Sequence, residues 1–241
     1  MDDFDTNSFF KPCLSATALK VIALVAMTID HVGLFLMDND DVMRSIGRLA
    51  FPIFAYLVGE GCRRTRSIKN YFLRLFIFGA ATQTVFYIAE RSLEMSMFVT
   101  FAMSVAVCAA LRFAENSEHP AAPLAPVIAI AAAFAVCFAL PKAKFMGDFS
   151  IEYSMPGVMI PVGVYAARSK TERLTVMAAG IAWMVMTYHG GVNWYAFFAL
   201  VPIFFYNGER GGRGTAFEKY FFYVYYPLHL VVIRLIGTLN G

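Results

Sequence analysis

Long apolar runs alternate with short polar or charged stretches along most of the chain. A helix that crosses a bilayer needs about 20 apolar residues, or fewer where neighbouring helices shield it from lipid. The pattern predicts nine such helices: Leu19–Met37, Leu49–Cys62, Tyr71–Ala89, Met95–Ala114, Leu124–Leu140, Ser154–Ala167, Leu174–Tyr188, Val192–Tyr206 and Phe217–Leu239. The second, sixth, seventh and eighth are short, which suits helices that line a cavity. We therefore predict an all-α, polytopic membrane helix bundle that forms one domain over residues 1–241.

The composition excludes a soluble domain. Hydrophobic residues make up 59% of the 241 positions, charged residues only 15%, and the mean hydropathy is +0.60. The N-terminal segment MDDFDTNSFF is acidic, unlike a secretory signal, so we expect the first span to be retained. The four cysteines are widely spaced and predict reduced thiols with no metal site: Cys13, Cys62, Cys108 and Cys137.

Basic residues are concentrated in alternate predicted loops. Lys and Arg in short loops mark the cytoplasmic side of a membrane protein. Three alternate loops carry them: Arg63, Arg64, Arg66 and Lys69 in the first, Arg168, Lys170 and Arg173 in the second, Arg210 and Arg213 in the third. The opposite loops are acidic or neutral except for Lys142 and Lys144. The distribution predicts a cytoplasmic N-terminus and a C-terminus on the outer side.

Two histidines lie within predicted spans. His31, directly after Asp30, lies roughly 9 Å from the outer end of the first span, and His229 has a comparable depth in the last span. Ionisable residues inside a span are unfavourable and usually functional. A single buried imidazole can simply bond a backbone carbonyl between packed helices. Two at one depth, beside a carboxylate, favour one shared site.

Asp30 needs a partner other than His31. Consecutive helical residues point about 100° apart, so Asp30 and His31 cannot face each other. Arg48 enters the second span from the outer side and can reach Asp30 to form a bidentate pair. The alternative for Arg48 is extension toward the interface, which we expect of Arg44 one turn earlier.

The last span carries a tyrosine-rich segment, YFFYVYYP, just before His229. Pro227 removes one helical hydrogen bond and predicts a kink below His229. We expect Tyr223, Tyr225 and Tyr226 to line the site with their hydroxyls. An aromatic belt at the membrane interface is the alternative, although the segment extends further into the span than a belt does.

The loop CRRTRSIKN and its flanks form a second group of candidates. Arg63, Arg64 and Arg66 could bind the phosphates of a donor that arrives from the cytoplasm. The cytoplasmic charge bias explains the same residues without any ligand. Glu60, between two glycines at the inner end of the second span, could pair with one of these arginines and line the site.

Several segments together resemble the TraX family of membrane proteins. They are LKVIALVAMTIDHVG, GRLAFPIFAYLVGEGCRRT followed by YFLRL, FVTFAMS, and KYFFYVYYPLHL. The resemblance spans about Leu19 to Leu230. Founding members of that family are implicated in N-terminal acetylation of conjugative pilin. In layout the family is similar to the acyltransferase-3 group and to heparan-α-glucosaminide N-acetyltransferase.

The resemblance implies an integral membrane acyltransferase in the bacterial inner membrane. It implies transfer of an acetyl group from cytoplasmic acetyl-CoA to an amine or hydroxyl acceptor. By position in the motifs, His31 would be the catalytic base or a transient acyl acceptor, with Asp30, Arg48 and His229 building the site. Arg63, Arg64 and Arg66 would hold the CoA phosphates.

The partners that we expect are the lipid bilayer, acyl-CoA and an unidentified acceptor. No metal and no nucleic acid are expected, and a homo-oligomer stays open. A proton-coupled transporter or flippase is the competing hypothesis, because buried Asp and His residues also build proton relays. Transporters often show paired halves with broken helices, and this chain has no internal repeat. A non-catalytic assembly factor is a third alternative.

Overall fold

The computed structural model of the chain describes residues 11–143 and 147–240. The acidic segment 1–10 and Lys144, both used in the sequence predictions, lie outside the described residues. Over the described residues ten α-helices follow one another: α1 Ala16–Leu36, α2 Asp41–Gly47, α3 Ala50–Arg64, α4 Ile68–Glu90, α5 Met97–Asn116, α6 Leu124–Phe134, α7 Ser154–Ala166, α8 Lys170–Thr187, α9 Leu200–Phe204 and α10 Ala216–Asn240. Two short strands, β1 Glu94–Met95 and β2 Ser150–Ile151, pair in parallel.

The nine apolar runs are helical over most of their length, so the chain is mostly helical as predicted; Met95 lies in β1, and α2 falls between the first two predicted runs. After α6 the chain continues through a π-helical turn, Ala135–Ala139, and α9 is preceded by a 3₁₀ segment, Gly191–Ala199. Six helical segments of the described chain are long and apolar enough to cross a membrane: Ala16–Leu36, Asp41–Arg64, Ile68–Ile88, Met97–Asn116, Leu124–Lys142 and Tyr220–Leu239. The chain is thus a multi-helix membrane protein. The figure of nine spans and the orientation stay predictions.

The interior of the bundle is built on α3. Most of its residues are buried, and Ile53 and Ala55 are completely inaccessible. Helices α1, α5 and α7 pack around it. At Gly59 an added Cβ would lie 2.6 Å from the Pro161 carbonyl oxygen, so only glycine permits this close approach of α3 to α7. The short α7 is therefore an interior helix, as its length predicted.

The basic loops meet at one end of the bundle. Arg63, at the end of α3, donates to the carbonyls of Tyr165 and Ala167 at the end of α7. The loop before α10 is bound to the start of α1 through backbone hydrogen bonds. We call this the basic end; the strand pair and the residues between α1 and α2 lie at the other end. The grouping of loops is as predicted, whereas the side of the membrane stays a prediction.

Candidate active site

The two intramembrane histidines contact each other. Helices α1 and α10 pack together, and His31 Nδ1 lies 2.7 Å from His229 Nε2. His229 is buried, with 6% of its surface exposed. The structure thus brings together two residues, 198 positions apart, that the sequence predicted to share one site.

A further hydrogen bond sets the proton positions of this pair. His229 Nδ1 lies 2.9 Å from the carbonyl oxygen of Tyr225, one turn earlier in α10. A carbonyl only accepts, so His229 Nδ1 must carry a proton. With both rings neutral, His229 Nε2 then accepts from His31 Nδ1–H. The remaining ring nitrogen, His31 Nε2, holds a lone pair and is available as a base.

Asp30 is the centre of an ion-pair cluster beside the histidines. Arg48 Nη2 donates to both carboxylate oxygens, at 2.8 and 3.0 Å, and the two side chains are 14% and 13% exposed. The predicted Asp30–Arg48 pair is confirmed, although one nitrogen of Arg48 makes both contacts. The expectation that Arg44 extends to the interface is wrong: its Nη1 lies 3.5 Å from Asp30.

The junction between α2 and α3 holds this cluster in place. At Gly47 an added Cβ would lie 2.1 Å from Asp30 Cβ, so the absence of a side chain lets Asp30 approach. Arg48 also donates from Nε to the Arg44 carbonyl, at 3.3 Å, and from Nη1 to Asn193 Oδ1, at 3.4 Å. Asn193 lies between α8 and α9 and was not found from the sequence, because nothing local marks it.

A cavity of about 580 Å³ opens beside these residues, and we call it the histidine cavity. Its charged and polar lining includes Asp30, His31, Arg44, Arg48, Glu94, Ser96, Glu152, Tyr153, Tyr188, Asn193, Tyr226 and Arg234. A space of this size, with polar groups converging on an apolar interior, is typical of a small-molecule site. Over the described residues, no group of three His, Cys, Asp or Glu could hold a metal ion.

Glu152 is a residue of this cavity that the sequence prediction missed. It lies between β2 and α7, and its Oε2 accepts from the Met97 amide at 2.7 Å, capping α5. Burial raises its pKa to about 7, with a further increase from Glu94. The Ser96 hydroxyl is buried beside it without a hydrogen-bond partner. In the sequence Glu152 is only one charge in a loop, so no local signal distinguishes it.

The three predicted tyrosines occupy different positions. Tyr226 lines the histidine cavity, and its ring meets that of His31 edge-on at 6.4 Å. Tyr225 stacks on His229 at 5.1 Å and shares a hydrogen bond with Thr28, but it does not line the cavity. Tyr223 lines a second cavity instead. Helix α10 continues through Pro227, and the kink stays a prediction.

The second cavity, of about 400 Å³, lies at the basic end, and we call it the basic cavity. Of the three arginines predicted to bind phosphates, only Arg64 lines it. Arg63 instead bonds the carbonyls at the end of α7, and Arg66 is exposed outside both cavities. Glu60 lines neither cavity.

Glu60 is buried in an ion-pair cluster at the basic end. It is 3% exposed, and it pairs with Arg64 at 3.1 Å, as expected, and with Arg173 of α8 at 2.8 Å. Truncation of a partner in such a buried cluster leaves an uncompensated charge. Its geometry therefore accounts for Glu60 without a ligand, and a role in lining the substrate site has no support from its position.

The fold and site define a polytopic membrane protein with a paired-histidine cavity inside its bundle. Residues 15–237 match the profile of the TraX protein family, so the chain belongs to that family. Its possible relation to the acyltransferase-3 group or to heparan-α-glucosaminide N-acetyltransferase stays a prediction.

Relatives of this chain are found in several bacteria. It is 26% identical over 250 residues to the probable fimbrial assembly protein FimC, serogroup H1, of Dichelobacter nodosus, covering 91% of this chain and 94% of that protein. It is 24% identical over 229 residues to protein TraX of Escherichia coli, covering 91% and 86%. An uncharacterised Rickettsia prowazekii protein is 51% identical over 41 residues, covering 17% and 16%. No solved structure matches the chain significantly.

Proposed function

We propose that this protein is an acyltransferase of the bacterial inner membrane, which moves an acetyl group from cytoplasmic acetyl-CoA to an amine or hydroxyl acceptor. The observation that carries the proposal is the hydrogen-bonded chain from the Tyr225 carbonyl through His229 to His31. This chain leaves a basic nitrogen, His31 Nε2, on a residue that lines a cavity. A general base beside room for two reactants is what acyl transfer requires.

The proposed reaction begins with proton transfer to this nitrogen. His31 Nε2 takes the proton of the acceptor N–H or O–H as the acceptor attacks the thioester carbonyl. The tetrahedral intermediate then expels the CoA thiolate by breaking the C–S bond. The thiolate receives the same proton from the His31 imidazolium, so the products are an acetylated acceptor and free CoA. His229 would stabilise the imidazolium because its Nε2 accepts from His31 Nδ1–H.

Two residues at the cavity wall are suited to stabilising the oxyanion that forms during the attack. Tyr226 lines the same cavity and lies against the His31 ring, so its hydroxyl can donate to a bound carbonyl. Arg48 is held by Asp30, and the cluster fixes a guanidinium at the cavity wall. Both carboxylate oxygens of Asp30 accept hydrogen bonds from Arg48. Asp30 would therefore contribute by balancing the charge of Arg48 and fixing its position.

The family suggests where such chemistry is used. One relative is named as a fimbrial assembly protein, and another is the TraX protein itself. We extend to this chain a role in pilus-related modification, with the N-terminal amine of a pilin-type subunit as the first acceptor to test. A glycan or another small molecule that carries an amine or hydroxyl is the second.

The test is mass spectrometry of acceptors after incubation of the purified protein with isotopically labelled acetyl-CoA. We expect the wild-type protein to add the labelled acetyl group, and His31→Ala to reduce the rate at least about 100-fold. His31→Gln should be equally inactive, because an amide cannot accept the proton. Equal expression and melting temperature serve as the control for folding.

Two results would contradict the proposal. Wild-type turnover in His31→Ala would remove the histidine from the reaction. Failure to label any pilin-type, glycan or small-amine acceptor, together with His31-dependent proton flux in proteoliposomes, would favour a proton-coupled transporter instead.

A further inference from the structure

The basic cavity has an unbalanced charge. Its lining carries four cationic side chains, Lys20, Arg64, Arg74 and Arg210, and one acidic side chain, Glu218. They come from α1, α3, α4 and the loop before α10, with Glu218 in α10 itself. Since the four cations belong to separate elements, the tertiary fold and not a run of sequence assembles this charge.

Most of the positive charge has no carboxylate partner. Glu218 is occupied by the backbone amides of Arg213 and Gly214, at 2.9 and 2.8 Å. Arg64 pairs with Glu60. Over residues 11–143 and 147–240, no carboxylate oxygen lies within the 4.0 Å ion-pair distance of Lys20, Arg74 or Arg210.

Arg74 and Lys20 are also held by aromatic rings. The guanidinium of Arg74 lies 5.5 Å from the Tyr71 ring centre, and its Nε is buried without a hydrogen-bond partner. Lys20 Nζ lies 5.2 Å from the Phe222 ring centre. A partly buried group of cations with an unused donor is suited to an anionic ligand.

Backbone hydrogen bonds place Arg210 at this cavity. The amide and hydroxyl of Thr17 both donate to the Arg210 carbonyl at 3.0 Å, and the Ala16 amide donates to Glu209 at 2.8 Å. Lys20 follows Thr17 by one helical turn. Arg210 and Lys20 are therefore held together by the start of α1, which makes the cavity a built feature of the fold.

The two cavities share a wall. Met27, Met97 and Tyr226 line both of them. Along α1, Lys20 lies in the basic cavity and His31 in the histidine cavity, about 17 Å apart at 1.5 Å per residue. Methionine side chains adapt their shape readily, so two of the three side chains of this wall can move aside for a thin chain.

We propose that the basic cavity binds the phosphates of an acyl-CoA donor at Lys20, Arg74 and Arg210, and that the thioester arm crosses the shared wall to His31. This inference rests on the proposed acyltransferase function and adds the site and path of the donor. It also replaces Arg63 and Arg66 as phosphate ligands. The phosphate of an anionic lipid has the same chemistry, but a lipid offers no thioester to His31.

The first experiment measures binding without turnover. Coenzyme A is titrated calorimetrically into the full chain, purified in detergent. We expect Lys20→Gln, Arg74→Gln and Arg210→Gln each to raise the Kd about tenfold, as loss of one charge-assisted contact predicts. Arg66→Gln is the matched control, because it removes the same charge at the same end from a residue outside both cavities, and we expect less than a twofold change. Unchanged affinity in all three cavity variants overturns the proposal.

The second experiment tests whether the phosphate-bearing part of the donor contributes to its binding. For the wild type, acetyl-CoA and the short thioester S-acetyl-N-acetylcysteamine are compared as donors. Arg74→Gln should raise the KM for acetyl-CoA about tenfold and leave the KM for the short thioester unchanged. Equal effects on both donors would overturn the phosphate assignment. His31→Ala should lower kcat with both donors while the Kd for coenzyme A is kept, so a failure of the catalytic proposal is distinguishable from a failure of the donor site.

The lipid is tested in nanodiscs of phosphatidylcholine with and without phosphatidylglycerol. Under the proposal, coenzyme A binds in both, and Arg74→Gln weakens it in both. If coenzyme A does not bind, while phosphatidylglycerol raises the melting temperature of the wild type and not of Arg74→Gln, the cavity is a lipid site and the proposal is wrong.

Discussion

At the scale of single residues, the proposed chemistry depends on which ring nitrogen carries a proton. The Tyr225 carbonyl can only accept, so it assigns the tautomer of His229, and His229 in turn assigns that of His31. The Tyr225 carbonyl, one helical turn before His229, thus determines through His229 that His31 Nε2 carries no proton. Under the proposed function, His229 is a positioning residue and His31 is the group that would meet the reactants.

This arrangement predicts a difference between two substitutions at His229. In His229→Gln the amide oxygen can still accept from His31 Nδ1–H, so we expect kcat within about tenfold of the wild type. His229→Leu leaves that N–H unpaired and the tautomer unassigned, so kcat should fall on the order of 100-fold. The KM for acetyl-CoA should be unchanged in both variants. Equal kcat values for Gln and Leu would show that the tautomer does not matter.

The ion-pair cluster predicts non-additive losses of stability. Asp30→Ala strands Arg48 and Arg44 together, whereas Arg48→Ala leaves Arg44 3.5 Å from the carboxylate. We therefore expect both single variants to be destabilised, on the order of 3 kcal/mol, with Asp30→Ala the worse. The double variant should be more stable than the sum predicts. Thermal melting in detergent measures this, and strictly additive losses would refute the coupling.

At the scale of elements, the junction between α2 and α3 builds the ion-pair cluster beside the histidines. Helix α2 ends at Gly47, and Arg48 caps it before α3 begins at Ala50. Arg48 and Leu49 keep right-handed helical dihedral angles, so α2 and α3 run on as one helical segment, Asp41–Arg64. This junction places Arg48 and the side-chain-free position 47 against Asp30 on α1.

Gly47→Ala should therefore disturb the site although alanine favours helix. The added Cβ would overlap Asp30, so we expect a loss on the order of 1–3 kcal/mol and reduced turnover. Gly237→Ala in α10 is the matched control, because its nearest contact is the end of the Leu36 side chain at 3.4 Å. That variant should be neutral or more stable, since alanine exceeds glycine in helix propensity. A stable, active Gly47→Ala protein would argue against the close approach.

At the scale of the whole molecule, one cavity lies toward each end of the bundle, and the two cavities differ in charge balance. The basic cavity has four cationic side chains against one carboxylate, whereas the lining of the histidine cavity is balanced, with three arginines and three carboxylates. Under the proposed function, a donor and an acceptor would approach from opposite sides of the membrane. Which side receives the donor depends on the orientation, for which the positive-inside distribution predicts the cytoplasm.

The orientation has a natural reporter in the chain. Cys13 is exposed and precedes α1 at the basic end, while Cys62, Cys108 and Cys137 are buried. In intact cells we expect Cys13 to react with a membrane-permeant maleimide and to resist an impermeant one.

An engineered thiol on the opposite side provides the control for this labelling experiment. Asp148 is exposed in the loop before β2. Asp148→Cys in a Cys13→Ser background should react with the impermeant reagent. Labelling of Cys13 by the impermeant reagent in intact cells would reverse the predicted orientation, and the donor would then enter from outside.

The sequence alone determined most of the helices and identified the histidines and Asp30 within the apolar runs. Hydropathy and helix periodicity are local properties, so the nine apolar runs placed the helical segments other than α2, which lies between the first two runs. The reach of Arg48 toward Asp30 followed from two adjacent spans and the depth of each residue. That His31 and His229 line one site was predicted from their equal depth; their direct contact was not, because depth alone does not specify contact.

Only the tertiary structure decided the hydrogen-bond directions and the membership of the cavities. Arg63 and Arg66 look equivalent to Arg64 in the sequence, yet packing against the end of α7 withdraws Arg63 and leaves Arg64 at the basic cavity. Lys20 and Glu152 become site residues because distant helices close around them. Such positions depend on contacts between segments far apart in the chain, which no local pattern encodes.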